Sequence, residues 1–187
     1  MILLGLLGVV VLAALWVVST YNFFVSSLAR LKAAVQEIAN QLKRQADLIP
    51  NLESSVKGYL KQEKDIFQML TDARKAVAGA VESGDVNKMS AAGSQVAGLI
   101  PQLKVAVESN PELKSSDVVA KLMDELRDTA DKLMYARRLF IDLTADFNVR
   151  RATFPSSFVA TMFSFGEQPG LITNEEETKT PKIDLGA

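Results

Sequence analysis

Residues 28–56 read LARLKAAVQEIANQLKRQADLIPNLESSV. The apolar side chains fall at Leu28, Leu31, Val35, Ile38 and Leu42, then at Ile49, Leu52 and Val56, in steps of three and four. Such steps line one face of a helix, whereas a half-buried strand would alternate at every second residue. Gln45 sits at a seam position the stripe skips. The pattern resumes at Tyr59, skips Glu63, and continues through Ile66, Leu70, Ala73 and Val77. A mean spacing of 3.5 predicts left-handed, coiled-coil-like packing against other helices.

Pro50 falls inside this stripe. It lacks an amide donor and its ring crowds the preceding turn, so the helix must kink or restart there. A tight corner with Pro50 opening a second helix is the expectation. The unbroken phase on either side favours the alternative, a kinked continuous helix. At a corner, Asp47 and Asn51 would cap stray backbone groups or bridge the two helices, or present a contact to a partner.

Downstream, Glu82-Ser83-Gly84-Asp85 is a stop and restart: Gly84 suits a left-handed cap, and Asp85 suits the N-cap of the next helix. A third stripe follows at Val86, Met89, Val96, Ile100, Leu103 and Val107, with Pro101 inside it predicted to bend or break the helix. Asn110-Pro111 closes that segment, and Ser115-Ser116-Asp117 offers caps for a fourth. The fourth stripe is Val119, Leu122, Leu126, Leu133, Ala136, Phe140, Leu143, Phe147 and Phe154. Helices over about 21–49, 50–83, 85–109 and 113–153 are similar in length. The arrangement that buries one face of each is an antiparallel four-helix bundle.

Upstream, residues 2–18 are apolar throughout, and no charge precedes Arg30. A helix over residues 2–20 would be about 28 Å long, close to the hydrocarbon thickness of a bilayer. Trp16 and Tyr21 stand near its end, where amphipathic rings favour the interface. A cleaved leader would need a basic start and a small-residue cleavage site, and neither is convincing. Residues 1–20 therefore read as a retained transmembrane anchor. Arg30 and Lys32 on its C-terminal side favour a cytoplasmic bundle with the N-terminus outside.

The 187 residues carry 21 Lys and Arg against 22 Asp and Glu, with no His and no Cys. That near-neutral balance argues against nucleic-acid binding through a broad basic surface. The missing residue types remove disulfides, thiolate chemistry, common zinc sites and the side chain best suited to proton transfer near neutral pH. With no triad, phosphate loop or metal-ligand cluster in the sequence, the expectation is no enzyme and no cofactor.

Glu63 on an apolar seam reads as an internal salt bridge to Arg74 or Arg137 that fixes register, against the sharper reading of a buried acid poised for a ligand. Residues 154–166 hold Phe158, Phe163 and Phe165 and read three ways: a plug for one end of the bundle, an interfacial lipid contact, or a self-association surface. Lys43-Arg44 and Arg150-Arg151 read as solvated charge. In the up-down arrangement only Arg150-Arg151 returns to the bilayer, where acidic headgroups would meet it. Residues 167–187, with Glu175-Glu176-Glu177, are expected to form a flexible acidic tail.

Gln41-Leu42-Lys43-Arg44, Asp47-Leu48-Ile49-Pro50-Asn51-Leu52 and Val56-Lys57-Gly58-Tyr59 resemble the signature of the LemA family. So do Tyr21-Asn22, Glu63, Ala73-Arg74, Asn110-Pro111-Glu112-Leu113, Ala136-Arg137, Phe147-Asn148 and Phe154-Pro155-Ser156, in order over about residues 2–166. Gln45-Ala46 and Phe140-Ile141 depart from the family pattern. The resemblance marks Asn148 as a structural or partner-binding position. It implies a bacterial, single-pass inner-membrane protein with an antiparallel four-helix domain and no enzyme activity. The expected function is a structural scaffold that organises membrane by self-assembly into a homo-oligomer. The alternative is a tethered module that binds a peptide, a lipid or an unidentified protein partner.

Overall fold

Where the stripe meets Pro50, the helix does not turn. In the computed structural model, which describes residues 1–57 and 64–172, α1 runs unbroken from the apolar segment through Pro50 (Ile2–Val56). It is followed by α2 (Lys64–Ser83), α3 (Val86–Ser109), α4 (Pro111–Lys114), α5 (Asp117–Ala152) and α6 (Ser156–Met162), with no strand among the described residues. The chain is all-α, and α1 carries a segment long and apolar enough to cross a membrane.

The expected corner at Pro50 is therefore corrected, and the reason is burial. Ile49, Leu52 and Val56 are each 1 % exposed or less. Proline inside a helix costs about 3 kcal/mol, and burying Leu52 and Val56 contributes roughly 1.5–3 kcal/mol each. Continuing in phase wins. Pro101 repeats the case inside α3: it lies on the solvent side, while Val96, Leu99, Leu103 and Ala106 are buried around it. Its missing bond leaves the carbonyl of Ala97, an exposed residue, to water.

The caps follow the sequence. Gly84 adopts φ +68°, and its amide bonds Val81 O at 3.2 Å. Asp85 then accepts from the amides of Asn87 and Lys88 at 2.8 and 3.4 Å. Asn110 and Pro111 open a single extra turn, α4, before Ser116 caps α5, so the helix expected from residue 113 starts later.

α1 packs along α5, α2 lies against α1 and α3, and α3 also meets α5. Phe24 of α1 faces Phe147 of α5, and Arg44 of α1 bonds Glu125 of α5. Between α3 and α5 the approach is close. A Cβ built on Gly93 would lie 2.3 Å from Leu133 Cδ2. Thr129 and Thr144 are buried, but each hydroxyl donates to a carbonyl of its own helix, Leu126 O and Phe140 O, both at 2.8 Å. Gln45 differs: it is fully buried, and neither its amide nitrogen nor its oxygen has a partner among the described residues.

Two expectations for the end of the chain are revised. Phe154, placed on the fourth stripe, is 84 % exposed because α5 ends at Ala152. Residues 167–172, expected to be flexible, lie on the helices: Asn148 exchanges two hydrogen bonds with the backbone of Gln168 (2.8 and 2.9 Å), Leu171 packs on the core, and Ile172 N donates to Asn87 Oδ1 (2.8 Å). Glu63, Tyr59 and residues 173–187, including the three consecutive glutamates, lie outside the described residues.

Candidate functional site

The surroundings of α1 within the molecule change partway along its length. From Ile2 to Ser19 no residue of α1 is buried, and the most apolar window has none of its residues inside the molecule. Then Thr20, Phe24, Ser27 and Leu31 are buried in succession. This is the same seam as the Leu28–Val56 stripe, extended towards the N-terminus by about two helical turns. Bare apolar surface on one side of Thr20 and a packed seam on the other mark where the apolar segment, long enough to cross a membrane, meets the body.

Aromatic rings gather at this boundary. Phe24 stacks on Phe165 (4.8 Å between centroids) and meets Phe147 edge-on at 5.3 Å, while Tyr21 packs on Phe163 at 4.8 Å and Phe165 at 5.6 Å. Phe165 arrives there through the end of α6. Ser164 N bonds Thr161 O and Phe165 N bonds Ala160 O, the two bonds of a Schellman motif. Its left-handed position is Ser164, at φ 58°, where glycine is the usual residue. Arg151 fixes the reversed chain, donating from Nε to Phe165 O at 3.0 Å, with Glu167 3.7 Å from its other end.

The Phe-rich segment thus divides. Phe165 points into the aromatic cluster, and Phe163 lies across Tyr21. Phe154, Phe158 and Met162, at i, i+4 and i+8, stand 65 % or more exposed on the outer side. The inward rings come from the turn that follows α6, while α6 itself exposes Phe158 and Met162 and buries Val159 and Ala160.

Beside this cluster a groove of about 530 Å³ is lined by Trp16, Thr20, Phe23, Asp146 and Arg150, with Thr153 and Ser156 at its far wall. The Arg150 guanidinium lies 4.1 Å above the Phe23 ring. Arg150 and Asp146, one turn apart on α5, form no ion pair with each other or with any other described residue. Arg150 was legible as half of a basic pair. Thr20 and Asp146 were missed, and the signal for Thr20 was available: it is the seam position that precedes Phe24.

The other marked residues lie elsewhere. Asp47 and Asn51 are on an exposed face of α1, with Asn51 Nδ2 donating to Asp47 O at 3.4 Å. Pro50 is half-buried between them. Arg74 is exposed on α2, and Arg137 is half-buried on α5 and donates to Ser94 Oγ at 3.2 Å. The bridge expected from Glu63 involves a residue outside the described ones. Among the described residues no group of three or more acidic side chains is placed to hold a metal ion.

No curated protein matches the chain. A family model does, over residues 34–185, which begins beyond the apolar span and takes in the signature around Pro50, the Asn148 contact and the Phe-rich turn. On that match the chain belongs to the LemA family.

Proposed function

We propose that this chain is a single-pass, non-catalytic scaffold of a bacterial inner membrane, held by residues 1–20 and assembling through its helical body. In this reading the body is an antiparallel four-helix bundle with coiled-coil-like packing, formed by α1, α2, α3 and α5 and lying on the cytoplasmic side. One observation carries it: α1 is a single helix from the lipid-type segment to the far end of the body. At 1.5 Å per residue its 55 residues make a rod about 80 Å long. A tether meant only to localise a domain works through a flexible linker, whereas a continuous helix fixes the body's direction relative to the bilayer.

Self-association is supported by the outer face of α5. Met134, Tyr135, Leu139 and Ile141 are exposed there, with Leu139 52 % and Tyr135 66 % accessible. Neighbouring exposed apolar side chains on a helix favour helix-to-helix contact between chains. The absence of His and Cys from the sequence supports the non-catalytic reading.

Full-length protein reconstituted in lipid is expected to show regular assemblies by electron microscopy, with the bodies on one side of the bilayer. Leu139→Glu is expected to reduce the mass of the solubilised particle while leaving helix content unchanged. A wild-type particle of monomer mass in both detergent and lipid would refute the scaffold.

A further inference from the structure

We propose that the groove at the span–body boundary binds the headgroup of a phospholipid bearing both a phosphate and a primary ammonium, with Arg150 receiving the phosphate and Asp146 the ammonium. The proposal rests on the membrane-anchored reading of residues 1–20.

The location selects a lipid. One wall is Trp16, a residue of the bare apolar segment, and the opposite wall is the α5–α6 junction. The groove therefore opens where hydrocarbon gives way to headgroups, the level indole rings favour. Just outside it, Phe154 and Phe158 are 84 % and 67 % exposed, apolar surface suited to the glyceride region rather than to water. The volume lies within the range of small-ligand sites, roughly 300–1,000 Å³.

The charges select the headgroup. Asp146 and Arg150 stand at i, i+4, a spacing at which opposite charges commonly pair on a helix. They do not pair, and neither has another ionic partner among the described residues. Arg150 is held instead with its face on the Phe23 ring at 4.1 Å, which leaves the N–H edge of the guanidinium for a planar or tetrahedral oxyanion. Its neighbour Arg151 is already committed to Phe165 O and Glu167. An anion alone would account for Arg150 but would be repelled by Asp146. A phosphate linked to an ammonium satisfies both.

Thr20, 2 % exposed as a residue, adds a hydroxyl-bearing side chain to the groove lining, a group able to donate to a phosphate oxygen.

The test is native mass spectrometry of the full-length protein released from detergent carrying equal amounts of phosphatidylethanolamine, phosphatidylcholine and phosphatidylglycerol. Phosphatidylethanolamine is expected to be retained about ten-fold or more over phosphatidylcholine, the size of one charge-assisted hydrogen bond, because a trimethylated ammonium has no N–H for Asp146. Asp146→Asn is expected to erase that preference, and Arg150→Gln to lower retention of every lipid. Arg138→Gln, an exposed change on α5 away from the groove, is expected to alter nothing. Equal retention of the three lipids by the wild type, or a phosphatidylglycerol preference that Asp146→Asn leaves unchanged, would overturn the proposal. Carbonate extraction of membranes separates the two claims. Release of the protein overturns the anchor and the site together, whereas firm retention with no headgroup preference overturns the site alone.

Discussion

Gln45 is the least comfortable side chain in the body. Both polar atoms of its amide are buried without partners among the described residues, and each such group costs roughly 1–3 kcal/mol relative to a satisfied one. Replacing it with Leu keeps similar volume and restores the stripe that runs from Leu42 to Ile49. Gln45→Leu is expected to raise stability by about 1–3 kcal/mol, read as the midpoint of chemical denaturation of the solubilised protein. A fall in midpoint would mean that a buried water satisfies the amide. Glycines in α3 offer a paired comparison. Gly98 has open space where a Cβ would sit, so Gly98→Ala is expected to stabilise by up to about 1 kcal/mol through helix propensity. Gly93→Ala gains the same propensity but drives a methyl onto Leu133, and overpacking of roughly 1–3 kcal/mol makes it net destabilising. The same measurement on both variants checks the opposite signs.

Among the elements, the helices themselves were the most legible part, because a spacing of three and four over fifty residues has one physical reading. Their ends were less so. Pro50 and Pro101 were read by their local cost, yet the burial of Leu52, Val56, Leu103 and Ala106 beyond them decides the outcome, and burial depends on partners that no local window contains. The groove was harder still. Thr20 and Asp146 are more than a hundred residues apart in sequence, and nothing near either one announces the other. The segment after α6 was misjudged for a related reason. Its composition is polar, but Asn148 supplies a hydrogen-bonding edge that pins Gln168, and Phe165 brings the chain back onto Phe24. Asn148→Ala is expected to remove both bonds to Gln168 and speed amide exchange over residues 167–172 about ten-fold or more, with α5 itself unaffected. Exchange rates identical to wild type would show that the aromatic anchor alone holds the segment.

At the scale of the whole molecule, what the geometry contributes is a fixed relation between span and body. The sequence placed the end of the span near residue 20 and the body after it, but composition alone could not say whether a hinge lay between. The buried series Thr20, Phe24, Ser27 and Leu31 leaves no interruption. Inserting Gly-Gly-Ser-Gly between Ser19 and Thr20 is expected to leave the protein in the membrane fraction while abolishing regular assemblies on lipid, as seen by electron microscopy. Assemblies of unchanged order would show that the body organises itself without orientation from the bilayer.

The uninterrupted α1 also behaves as a drive shaft. Each residue of a helix advances its surface by about 100° and 1.5 Å, so the compass bearing of the seam is locked to that of the bare apolar side chains before Thr20. One amino acid added within the apolar segment would swing the body by more than a quarter turn about the axis of α1 relative to that segment. Any two copies meeting through their spans would then present different flanks of their bodies to each other.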